Sequence, residues 1–216
     1  MANKSGNAYA LTVLCPILPG VPKDAPPGME GQTCANLIRY ELQQLKLSED
    51  SPMARVPNTF LSRLWVLDDV PFQGLPARLE HLKSNYLVFS ANFHGGLDDY
   101  LTGMWNNVEQ EIRAILGCCV GFPKQPTVKT FIEYIKKCQV ETTFFFNGSS
   151  DEPLDVQLKS LYLKQELSKF AFENQGRSAA DLQIAFRAFV ARTQPRNLER
   201  PTWKAGAYHL DRAVKE

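Results

Sequence analysis

Few side chains in this chain have both the type and the setting for chemistry. Its histidines are His81, His94 and His209. His94 follows the apolar run Tyr86–Phe93 and precedes Gly95-Gly96. At such a strand end it can act as an axial ligand to a metal or haem, as a general base near neutral pH, or simply as a corner residue. His81 lies in a polar segment and His209 in a polar tail, and both read as solvent-facing. Arg63 interrupts the otherwise apolar row Leu61, Trp65, Leu67. A cation there needs a counter-charge or a ligand, unless it snorkels at a sheet edge. Trp65 offers a flat apolar wall with one donor. Asn92 shares a strand face with His94. His94 and Arg63 are thus the catalytic candidates. With Trp65 and Asn92 they form a binding set suited to a mostly apolar ligand with an acidic or oxygen-rich end.

Other chemistry is thinly represented. Asp98-Asp99 can support acid–base work, but carboxylates at a helix start are commonplace. The cysteines at 15, 34, 118, 119 and 138 are odd in number and lack a CxxC spacing, which argues against a disulfide framework or a zinc site. Cys118-Cys119 reads as packing near Gly121. No GxSxG, HExxH, P-loop or GxGxxG pattern occurs. A formal net charge of +1 provides no field to attract nucleic acid. No stretch resembles a signal peptide or a membrane span, so a cytoplasmic protein is expected. Arg187, Arg192, Arg196, Arg200 and Lys204 make the C-terminal stretch basic, which reads as a solvated face or a site for an acidic partner.

These residues must be positioned by a mixed fold. Alternation predicts strands at 9–17, 59–67, 86–93 and 140–147. On the third, Leu87, Phe89, Ala91 and Phe93 form a wholly apolar face that must meet a core. Helical periodicity predicts 34–45, capped by Thr33, and a long helix from 97 to 116. A shorter helix follows Thr127, and two more occupy roughly 151–174 and 179–193, the latter capped by Ser178. A short helix is expected near 77–83. Residues 1–8 read as loose. The order strand, helix, strand, strand, helix, strand predicts an α+β, ferredoxin-like βαββαβ antiparallel sheet with helices on one face. It covers residues 1–150, with a C-terminal helical extension and tail at 151–216 packed on the same domain. Either that extension or a second copy of the chain can cover the other sheet face, leaving a ligand space between the layers.

The segments TFLSRLWVLDD, YLVFSANFHGGLDDYL, ILGCCVGFP and TFFFNG resemble a set of bacterial and fungal α+β proteins that occur near catalase-like or peroxidase-like enzymes. The resemblance covers residues 9–147. Arg63 matches that family's strand arginine, and Asn92, Phe93 and Gly95 match its corner. Phe60 stands where the family has histidine, and His94 where it has aspartate. The fold is also similar to the superfamily of dye-decolorising peroxidases and small dimeric monooxygenases, although the GxxDG peroxidase motif is missing. The resemblance implies an enzyme of oxidative, haem-dependent chemistry acting on a small apolar molecule. Its alternative is a non-catalytic partner or stabilising subunit, working as a homodimer or bound to a catalase-like enzyme.

Overall fold

The computed structural model describes residues 3–22, 27–72, 74–76, 78 and 80–207. Two compact units result, Met1–Asp151 and Glu152–Glu216. The first is a mixed α+β unit built on a four-stranded antiparallel sheet. Its strands are β1 (Lys4–Ser5), β2 (Ala8–Pro16), β3 (Thr59–Leu67) and β4 (Tyr86–His94), in the order β1-β2-β4-β3. Helices α1 (Cys34–Gln44), α2 (Leu97–Leu116) and α3 (Val128–Cys138) belong to the same unit.

Period-two alternation decides which side of the sheet each residue faces. Leu11, Val13 and Cys15 of β2 are buried together with Leu87, Phe89, Ala91 and Phe93 of β4. They join one core with Ile38 of α1, Leu101 and Trp105 of α2, and Phe131 of α3. The helices therefore pack on one face. Thr33 caps α1 by accepting the Asn36 N–H, and Thr127 and Thr130 form a reciprocal capping box at α3. Gly95 turns the chain out of β4 at φ +103°, a region only glycine enters readily. Asp98 and Asp99 then occupy the first turn of α2, at the positive end of its dipole.

The expected strand at 140–147 does not form. The reason lies on the free edge of β2, which is already divided. At one end Lys4 and Ser5 fold back onto Tyr9 and Ala8 as β1, and the Ala10 N–H reaches Asn3 O at 2.9 Å. At the other end Ile17 bridges Cys119. Only a single bridge, Val13 with Gln139, remains for the incoming chain. Residues beyond it turn to the N-terminal hairpin instead, with Thr142 N–H donating to Asn3 Oδ1 and Asn147 N–H to Ser5 Oγ. Residues 3–8, expected to be loose, are thus held by these bonds, and Met1 and Ala2 lie outside the described residues. The expected helix near 77–83 is also missing over its described part, where residues 80–85 are irregular; Ala77 and Leu79 lie outside the described residues.

One long helix was expected at 97–116, and α2 spans it with a break. Val108 leaves helical geometry at φ −140°, ψ 33°. One residue earlier, the Asn107 side chain donates to Gly103 O at 2.8 Å, and a side chain entering the hydrogen-bond ladder is a known cause of bending.

The second unit is a helical hairpin, α4 (Leu154–Glu173) and α5 (Ala179–Thr193). Phe170, Phe186 and Phe189 cluster between its helices, and Glu166 bonds Arg192 across them at 2.5 Å. Lys159 is buried and its ammonium donates to the carbonyls of Thr193 and Pro201. Burial pushes its pKa down from the usual lysine value. Across the described residues, no helix is long and apolar enough to cross a membrane.

Candidate functional site

The four candidate residues fall on the sheet face away from the helices. Register places Leu61 beside Asn92, Arg63 beside Ser90 and Trp65 beside Val88. His94 lies one alternation beyond Asn92, next to Ala8. All four share one face, as the alternation required. They do not converge on one point. Arg63 and His94 are separated by four residues along the sheet, about 13 Å at about 3.3 Å per residue.

Of the readings open to Arg63, a counter-charge, a ligand or a sheet-edge position, the structure fits the last: β3 is an edge strand and the row Leu61, Arg63, Trp65 is exposed, with Leu61 at 66% and Trp65 at 42%. Among the described residues Arg63 has no ion pair. Several carboxylates at the strand ends are paired with other residues. Asp68 pairs with Arg39 and accepts from Asn85, and Asp98 pairs with Lys136 at 2.6 Å. Asp69 bonds His81 at 2.6 Å and accepts the Leu82 and Val70 N–H groups, which holds its carboxyl down at about 2. His94 is partly buried, and its Nε2 atom is buried without a hydrogen-bond partner among the described residues. His209 lies outside the described residues.

A partly open apolar space lies on the opposite face. A cavity of about 60 Å³ sits between the inner sheet surface and the helices. Its floor is Cys15, Leu64, Leu87 and Phe89. Its roof is α2, from Met104 through the broken turn at Val108 to Ile112 and Leu116. Leu45, Pro52 and Met53 close one side, and Phe131 and Ile135 of α3 the other. Glu111 is the one charged lining residue; it is partly exposed and pairs with Arg55. Sequence reasoning found Leu87 and Phe89 of the wall as core but neither Pro52 and Met53 nor the void, because helical periodicity carries no signal for the break at Val108.

Size and lining limit what this cavity can hold. At about 10–15 Å³ per water-sized group, it takes on the order of five such groups. Pockets for drug-sized ligands run to about 300–1,000 Å³. A haem does not fit, and His94 is on the far side of the sheet. Cys15 is the only nucleophile in the wall. Its thiol is pushed up to about 12, chiefly by its hydrogen bond with Cys119 and by burial, so it stays protonated and unreactive near neutral pH.

A second, wider recess of about 260 Å³ has a mixed polar and apolar wall. It is lined by the segment Ile17–Gly20, by Thr33 and Ala35 around the start of α1, and by Lys83–Asn85. Among the described residues no group of His, Cys, Asp or Glu side chains is arranged to hold a metal ion.

Comparison of the chain with protein families, with curated proteins and with solved structures found no match. The geometry alone carries the functional reading.

Proposed function

We propose that this chain binds a small apolar molecule, or the apolar end of a larger one, in the cavity between its sheet and α2. The observation that carries the reading is a wall of aliphatic, aromatic and sulfur-containing side chains in which Glu111 is the one charged member. Such a lining favours an apolar guest over water, because a water there finds too few polar partners. The broken turn at Val108 supports entry, since a non-helical residue in the roof lets α2 flex locally. The cavity itself supplies no acid–base pair, so it supports binding rather than turnover.

Xenon is a suitable probe. In methyl NMR spectra it should shift Leu87, Val108 and Ile112, and Ile112→Phe, which fills the void, should abolish the shifts. Unshifted cavity methyls, or shifts that survive Ile112→Phe, would overturn the reading.

A second reading is a partner role on the outer sheet face, as the resemblance to proteins encoded near catalase-like enzymes implies. Exposed Leu61 and Trp65 beside Arg63 favour it. The ferredoxin-like assignment belongs with this reading. It is supported by the sequence of long strands β2-β4-β3 and by the helices on one face, the fourth strand having been displaced. The free thiols support a cytoplasmic, reducing location.

A further inference from the structure

The five cysteines fall into two groups. Cys119 turns to Cys15, and Cys15 also contacts Cys138. Cys118, its neighbour in sequence, points elsewhere and lies beside Cys34. Adjacent residues of the Cys118-Cys119 pair thus serve different partners.

Backbone bonds hold the Cys34–Cys118 contact in place. Cys34 is the first residue of α1 and Cys118 lies just beyond the end of α2. Both are tied to one short segment: Leu18 N–H donates to Cys118 O at 2.9 Å, and Cys34 N–H donates to Gly20 O at 3.0 Å. That same segment walls the 260 Å³ recess, whose lining includes Thr33 and Ala35 on either side of Cys34. Cys118 and Cys138 are half-buried, whereas Cys15, Cys34 and Cys119 are sealed in the core. A reagent in solvent therefore meets Cys118 or Cys138 first, and of these two Cys118 is the one tied to the segment that walls the recess beside Cys34.

We propose that Cys34 and Cys118 are a dithiol that closes to a disulfide when the chain meets a low-molecular-weight disulfide such as oxidised glutathione. The Cys118 thiolate attacks one sulfur of the small disulfide; a new S–S bond forms and one small thiolate leaves, taking up a proton. The Cys34 thiolate then attacks the Cys118 sulfur, and the second small thiolate leaves. Two electrons pass from the pair to the small disulfide, which becomes two thiols. Burial, then the neighbouring Cys34 and Glu41, push the Cys118 thiol up to about 12. Exchange therefore runs through a small thiolate fraction and is slow. The bond would staple the first turn of α1 to the junction of α2 and α3.

The test uses the reduced full-length chain. It is equilibrated in glutathione buffers from reducing to oxidising, quenched in acid, alkylated and mapped by mass spectrometry. The expected result is loss of two free thiols and one cross-linked peptide joining Cys34 to Cys118. Cys15 and Cys119 should become alkylated only after denaturation, and Cys138 should remain a free thiol. Both Cys34→Ser and Cys118→Ser should lose the cross-link. Because Cys118 is the less buried, its variant decides the matter if Cys34→Ser does not fold. Five free thiols in the most oxidising buffer, glutathione adducts without a cross-link, a bond from Cys15 to Cys119 or Cys138, or a cross-link that survives Cys118→Ser would each overturn the proposal.

Discussion

The carboxylate of Asp151 accepts the backbone N–H of Asn7 at 2.8 Å and the Asn7 side-chain amide at 2.9 Å, across 144 residues of chain. This contact holds the last residues of the first unit against the turn between β1 and β2. Gly6 makes it possible. Its φ is +64°, and a Cβ there would stand 2.5 Å from the Asp151 carboxylate. The contact also helps explain why residues 140–147 follow the hairpin instead of pairing with β2.

Gly6→Ala should therefore lose stability on two counts, left-handed strain and displacement of Asp151. Strain of this kind costs about 1–3 kcal/mol. Asp151→Ala should cost about 1–2 kcal/mol, because charge-assisted hydrogen bonds at an exposed site fall at the low end of their range. Urea unfolding measures both. Hydrogen exchange at the Ala10 amide, which is bonded to Asn3 O, should quicken in each variant. An Ala10 amide as protected as in the parent chain would show that the hairpin does not depend on Asp151.

Trp105 tests the core. It is buried on α2, tilts against Phe131 with ring centroids 5.3 Å apart, and carries the Arg113 guanidinium 5.1 Å above its ring. Trp105→Ala should destabilise by about 3–5 kcal/mol. Arg113→Met removes that cation–π contact together with the Glu109 ion pair and the hydrogen bond to Pro126 O, and should still cost less, about 1–2 kcal/mol. A Trp105→Ala loss under about 1 kcal/mol would mean that the void collapses freely around the truncated side chain.

Much of this architecture was legible in the sequence. The apolar alternation of Leu87, Phe89, Ala91 and Phe93 located a core strand, and Thr33, Thr127 and Ser178 marked helix starts, because capping and burial are local signals. The outcome at 140–147 was not legible. Phe144 and Phe146 look like strand residues, yet they are 80% and 72% exposed. What decided their fate was competition for an edge, won by Lys4 and Ser5, which carry no hydrophobic signal. The candidate site divided in the same way. Alternation placed Arg63, Trp65, Asn92 and His94 on one face, but a strand pattern does not reveal which face holds a void.

Asp69 gives a pH prediction. Its carboxyl is held at about 2 by the His81 hydrogen bond first, then by the Leu82 and Val70 N–H groups. A depressed carboxylate contributes stability that is fully present above its unfolded value, about 3.9, and is lost as pH falls through the folded value. The 68–85 connection should therefore loosen between about pH 4 and pH 2, and Asp69→Asn should loosen it at neutral pH. Amide exchange at Leu82 reports this directly. Protection of Leu82 that is unchanged in Asp69→Asn would remove Asp69 as the anchor.

His94 separates the two faces of the sheet as binding sites. Its Nε2 is buried without a hydrogen-bond partner among the described residues. Such an atom bears a desolvation cost that an apolar replacement removes, so His94→Leu should unfold within about 1 kcal/mol of the parent chain or above it. Arg63→Ala should also be near neutral, since Arg63 is exposed and unpaired among the described residues. If the ligand sits between the sheet and α2, both variants bind xenon as the parent does, whereas Ile112→Phe does not. The sheet stands between the two sets, so one small molecule cannot touch both Ile112 and His94. Loss of binding in His94→Leu and Arg63→Ala with Ile112→Phe unaffected would move the site to the outer face. There Trp65 would supply the apolar wall and Asn92 the polar contact between the two candidates.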